Sequence, residues 1–295
     1  MSAPMTTPSR PSSLSLIAAA LSEAWIFVRR DGFLALGVSV LPGVFFTACF
    51  WFAMQIVVSD DKPFGLFLLA LIFASLSLLI PKAVLMRRAG LAVVNTEARG
   101  SLIRDIRRYA IVWLLLFILG FTVLGSAGFA LIAMLAALDL AARSEANAPA
   151  IDSDAADTAL PQLGEYFGQT EWVIAALVIA GFGFFAAWFQ ARLSLAYAMT
   201  TARQAVHALS SFALTRGRWM AAFIAFFVAS IPAAVFAMLV RTAFIGTFTP
   251  ESLMTDRVLI SLLFWVAMTI TLALWVVSQV GVAASLYKSL SRDVT

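Results

Sequence analysis

The ionisable residues of this chain sit in the gaps between six long apolar runs, and successive gaps alternate in sign. The runs are Phe33 to Val58, Phe64 to Leu85, Tyr109 to Leu138, Trp172 to Gln190, Trp219 to Val240 and Val258 to Val282. With Lys82 counted in the gap that follows it, one alternate set of gaps holds 16 of the 20 Lys and Arg, and the other holds 4. Acidic residues divide 5 and 11 in the opposite sense, so one side carries +11 and the other −7. About 20 apolar residues cross a ~30 Å hydrocarbon core as an α-helix, and basic residues collect on the cytoplasmic side. The pattern predicts an all-α protein with six spans in the cytoplasmic membrane. Both termini and the connectors after spans two and four then lie inside.

Composition excludes the other fold classes. At 62% hydrophobic and 12% charged residues, a water-soluble domain would have too little polar surface to cover itself. Barrel strands are ~10 residues of strict alternation, whereas Leu66 to Phe73 is apolar on every face. The single cysteine, Cys49, lies in span one, so no intrachain disulfide and no cysteine metal site can form.

Residues 1–13 are rich in Pro, Ser and Thr and read as a disordered tail, with residues 14–295 as one membrane domain. The apolar stretch Leu14 to Leu21 after Arg10 is short for a cleaved leader. Leu14, Ile17, Leu21, Trp25 and Val28 instead recur at helical spacing, which predicts an interfacial helix on the inner leaflet ending at Arg29 and Arg30.

The chain also repeats itself. Arg88, Leu91, Ala92, Thr96, Ala98 and Arg99 match Arg192, Leu195, Ala196, Thr200, Ala202 and Arg203 at a constant offset of 104. Leu21, Ser22 and Pro42 match Leu209, Ser210 and Pro232 with a slip of two residues. The predicted unit is an inner-surface helix followed by a transmembrane hairpin, used three times in one orientation, unlike the inverted repeats of many transporters.

The stretch Arg192 to Arg218, with Leu195-Ala196-Tyr197 after one span and Ala208, Ser211, Leu214, Thr215, Arg216, Gly217 and Arg218 before the next, resembles a known family. It is similar to the six-span membrane domain attached to some bacterial glycerophosphoryl diester phosphodiesterases, and to the related YciC-like membrane proteins. The resemblance implies a bacterial inner-membrane module. No soluble catalytic domain accompanies the six spans here, so phosphodiesterase activity is not expected.

No residue pattern points to catalysis. His207, the only histidine, stands between Arg203 and Ser211 on a polar connector and lacks companion metal ligands. Ser126, within Gly125-Ser126-Ala127-Gly128, has no membrane-embedded histidine to activate it. Gly120, Gly125, Gly128 and Ala133 read as a close-packing helix face. Lys82, the one charge inside a span, follows Pro81 near the inner end and is expected to snorkel to the headgroups. Gln55, Gln190, Gln279, Thr122, Thr269, Thr271 and Ser278 are expected to hydrogen-bond between helices, and Pro42 and Pro232 to kink their spans. Asp152, Asp154 and Asp157 in the acidic outer connector lack the Gly and distal Glu of a calcium loop.

The inner connectors carry the functional signal. Arg104, Arg107 and Arg108 share one helical side, with Leu102, Ile103 and Ile106 free to face lipid. With Arg87, Arg88, Arg99, Arg203, Arg216 and Arg218 they form a basic collar expected to contact anionic lipid. The expected function is a non-enzymatic module organising lipid or a membrane-protein partner, without cofactor, metal or nucleic acid. The alternative is a carrier for a lipid-like or amphipathic molecule.

Overall fold

The computed structural model describes residues 12–58, 64–89, 101–145, 166–247 and 257–292. Among them there is no strand. The helices are α1 (Ser13–Val58), α2 (Phe64–Ser77), α3 (Leu79–Arg88), α4 (Leu102–Glu145), α5 (Gln169–Leu193), α6 (Ala196–Arg203), α7 (Ser210–Leu214), α8 (Trp219–Thr247) and α9 (Arg257–Arg292). Six stretches are long and apolar enough to cross a membrane: Ser13–Ala53, Phe64–Arg88, Leu102–Ser144, Gln169–Arg203, Trp219–Ala243 and Val258–Ser291. Each apolar run falls on one helix except the second, which is divided between α2 and α3. The protein is all-α, and its six apolar helices make it a multi-pass membrane protein.

Helix boundaries differ from those expected. The 46 residues of α1 rise ~69 Å, more than twice a ~30 Å hydrocarbon core. The helix continues through Arg30 to Phe33, so the segment expected as a separate surface helix is the first part of span one's helix. Gly32 is the weak point, and one helical glycine costs only ~1 kcal/mol. The Ser101 to Tyr109 segment likewise runs straight on into α4. Span two does break, at Leu78 between α2 and α3. Pro81 cannot donate to the Ser77 carbonyl, and its ring crowds that oxygen. Pro42 and Pro232 both stand inside unbroken helices, but Pro42 is buried and Pro232 exposed, so their matched positions have different surroundings.

Two compact units make up the chain: Met1–Leu114 with Ala191–Thr295, and Leu115–Gln190. Unit 1 is built on α1 and α9, which run antiparallel. Ala24 meets Gly281, Gly43 meets Thr269, and Trp51 Nε1 donates to Ser261 Oγ at 2.8 Å. The buried side of α1 recurs at three- and four-residue steps through Leu16, Ala20, Ala24, Phe27, Asp31, Ala35, Ser39 and Pro42. This is not the stripe read from hydropathy, because Leu14 and Trp25 are exposed and Ile17, Leu21 and Val28 only flank the core. The reason is size. A Cβ at Gly281 would lie 2.6 Å from Ala24 Cα, an approach that only small residues permit.

Among the polar groups expected to join helices, Gln279 does so. Its Nε2 donates to the Phe226 carbonyl at 3.1 Å and to Ser230 Oγ at 2.7 Å, tying α9 to α8. Thr122, Thr269, Thr271 and Ser278 donate to carbonyls of their own helices. Tryptophans add two bridges between α1 and α9: Trp51 to Ser261, and Trp265 Nε1 to the Val40 carbonyl at 3.3 Å.

In unit 2 a Cβ at Gly128 would meet Phe182 Cζ at 3.9 Å, but one at Gly120 or Gly125 meets no atom within 4 Å. The close-packing glycines are therefore Gly43 and Gly281 in unit 1, not Gly120 and Gly125. Beyond the span, Arg143 Nε donates to Asp139 Oδ2 at 2.7 Å, and the guanidinium lies 4.7 Å from the Tyr166 ring centre. Residues 152, 154 and 157, and Leu91, Ala92, Thr96, Ala98 and Arg99 of the repeat, lie outside the described residues.

Candidate functional site: the polar end of unit 1

Arg87, Arg88 and Arg108 of the basic collar come together where the first half of α1, α3, the start of α4 and α6 meet. Two buried carboxylates organise it. Asp105 accepts from Arg87 Nε at 2.6 Å and from Arg108 Nη1 at 3.4 Å. Arg108 Nη1 also donates to Gln204 Oε1 at 2.6 Å. Asp31 accepts from Arg30 Nε at 2.7 Å, and Arg88 Nε stands 4.0 Å from its other oxygen. Arg30 Nη2 donates to the Arg88 carbonyl at 3.1 Å, and Lys288 Nζ to the Ala89 carbonyl at 3.1 Å, closing the carboxyl end of α3 with cations that favour a helix C-terminus.

Gln204 holds this cluster together from an unusual backbone position. It caps α6 with φ +53°, a left-handed conformation that costs a non-glycine residue ~1–2 kcal/mol. Its side chain accounts for the choice, since Nε2 donates to the Thr201 carbonyl at 2.8 Å while Oε1 accepts from Arg108. Next to it the hydroxyls of Tyr109 and Thr201 share a hydrogen bond, and the Tyr109 and Tyr197 rings lie 5.1 Å apart.

Lys82 does not run out to the headgroups. Its ammonium lies 4.9 Å from the Tyr197 ring centre and 5.3 Å from that of Trp275. Ring faces attract a cation electrostatically, and among the described residues no carboxylate pairs with it. His207 departs from the expected connector face as well: its Nδ1 meets Ser210 Oγ at 3.2 Å, whereas Ser211 is buried and bonds to the Ala208 carbonyl. Burial and the nearby Arg203 charge push the His207 pKa below its ordinary value, favouring the neutral ring.

The collar thus divides into two populations. Arg87 and Arg108 turn inward to Asp105, so Arg108 does not share a free face with Arg104 and Arg107 as the helical spacing suggested. Leu102 and Ile106 follow that inward turn and pack on the core, and only Ile103 of the three expected lipid-facing residues is exposed. Arg104, Arg107, Arg203 and Arg216 are exposed, with no carboxylate partner among the described residues; Arg88 is exposed beside Asp31, and Arg218 is half-buried. The inward-holding partners Asp31, Asp105 and Gln204 were missed in the sequence. Their signal was an acid embedded in each of two strongly basic segments, Arg29-Arg30-Asp31 and Arg104-Asp105 with Arg107-Arg108. No protein family, curated protein or solved structure matches the chain.

Proposed function

We propose that this protein is a non-enzymatic module of the bacterial inner membrane that organises anionic lipid, or a partner protein, at the cytoplasmic face. In this reading the polar end of unit 1 is cytoplasmic, together with both termini, and the chain is three like-oriented hairpins related to the phosphodiesterase membrane domain and YciC-like proteins. The observation that carries it is the contrast between Arg87 and Arg108, half-buried and held by Asp105, and Arg104 and Arg107, exposed with no carboxylate partner among the described residues. A topology signal needs charge anywhere on the inner side. It does not need Arg104 and Arg107 exposed beside apolar Ile103, while neighbouring Arg87 and Arg108 share the Asp105 carboxylate. Support over a lipid carrier comes from the filled interior of unit 1, where Ala20, Ala35, Ser39, Ala222, Val276 and Leu286 are fully shielded.

Replacing Arg104 and Arg107 together with glutamine leaves the Asp105 cluster intact and removes two interfacial charges worth ~1 kcal/mol each. Retention of phosphatidylglycerol or cardiolipin, read by native mass spectrometry, is expected to fall and to lose part of its salt sensitivity. Equal retention in variant and parent would reduce these arginines to a topology signal. For the orientation, a cysteine at position 152 in a Cys49→Ala background should react with an impermeant thiol reagent from outside, and one at position 99 should not. The opposite labelling pattern reverses the topology.

A further inference from the structure

On its lipid-facing side the α1–α9 pair is not closed. Val28, Gly32 and Leu36 of α1 and Ile270, Leu274 and Val277 of α9 border an open, almost wholly apolar groove of about 230 Å³, with Arg29 at the Val28–Val277 end. Beside Gly32 the groove is empty, since a Cβ there would meet no atom within 4 Å. The seven helical steps from Arg29 to Leu36 give the groove a length of ~10 Å along the helix, room for the upper part of an acyl chain.

Arg29 differs from its neighbours. Arg30 is held by Asp31, whereas the Arg29 guanidinium has no carboxylate partner among the described residues and lies 4.9 Å from the Trp25 ring centre. Tryptophan and arginine together mark a headgroup level, and Phe33 begins the uninterrupted apolar run one turn deeper. A cationic, aromatic mouth opening into an apolar slot is complementary to one kind of molecule, an anionic phospholipid with its phosphate at the mouth.

We infer that this groove holds one anionic phospholipid, its phosphate on Arg29 against Trp25 and one acyl chain along Gly32 between α1 and α9. The inference rests on the lipid-organising reading but concerns a single stoichiometric site, not the diffuse collar. The purified full-length protein is titrated in detergent with dipalmitoyl phosphatidylglycerol or dipalmitoyl phosphatidylcholine, and bound lipids are counted by native mass spectrometry. One phosphatidylglycerol should bind saturably and in preference to phosphatidylcholine, and free glycerol phosphate should not displace it. Arg29→Gln should weaken that site about fivefold, the weight of one interfacial arginine. Gly32→Leu, which fills the slot without a backbone clash, should abolish it, with thermal stability confirming that the variant is folded. Arg104→Gln with Arg107→Gln should leave the single site in place, so a failed collar and a failed groove give different results. Unchanged binding in folded Gly32→Leu, or equal affinity for the two lipids, overturns the assignment.

Discussion

Replacing Gly281 with leucine is expected to destabilise the helical bundle more than any other single substitution considered for this chain. A Cβ at this position would approach Ala24 Cα to 2.6 Å, its Cβ to 3.2 Å and its amide nitrogen to 3.4 Å. Two of those atoms are backbone and cannot rotate away, so the whole of α1 would have to lift from α9. Overpacking of a tight core costs about 1–3 kcal/mol and occasionally more. The upper part of that range applies here, because the displaced element is a helix with buried residues from Leu16 to Cys49. Thermal unfolding in detergent, followed by loss of monodisperse protein, should show a clear fall in melting temperature. Gly125→Leu is the comparison, since the space beside Gly125 is open within 4 Å. Equal melting temperatures for the Gly281 variant and the parent would show that α1 and α9 do not meet at Ala24.

Asp105→Asn should be the next most damaging change, and it should act through two arginines at once. Asparagine keeps the volume of aspartate but removes the charge that Arg87 and Arg108 share. Those side chains are only 24% and 21% exposed, so water replaces the lost partner poorly, and breaking a buried pair by removing one member costs several kcal/mol. Allowing for the partial exposure, a loss of about 2–3 kcal/mol is expected. Asp31→Asn provides the contrast. Its partners Arg30 and Arg88 are 57% and 63% exposed, and pairs screened to that degree contribute ~1 kcal/mol or less. Denaturation midpoints should therefore rank parent, Asp31→Asn and Asp105→Asn in order of falling stability. If the two variants lose stability equally, exposure is not what separates the two clusters.

Several features are legible in the residues alone. Six spans follow from run length against hydrocarbon thickness, which is a property of composition and needs no knowledge of neighbours. The concentration of arginines in the segments before Tyr109 and Trp219 is likewise a property of the sequence, the positive charge that orients spans being written into the connectors. Even the principle that small residues mark helix contacts was sound; its placement on Gly120 and Gly125 was not.

Which face of each helix turns inward was decided only in three dimensions. Hydropathy ranks Leu14, Leu21 and Val28 above Ala20, Ala24 and Ala35, yet in an apolar solvent a large side chain gains little by leaving lipid for protein. Close backbone approach gains dispersion contact instead, so the alanine stripe is buried and the bulky one is left outside or at the margin. Charge shows the same division between local and tertiary information. Sequence spacing grouped Arg108 with Arg104 and Arg107, but Asp105 and Gln204, the latter 96 residues away, turn it inward. Lys82 finds Tyr197 and Trp275 by the same kind of long-range contact. Span number depends on the chain's own composition and the membrane's thickness, whereas facing and pairing depend on residues distant in sequence, and only the packed helices bring those together.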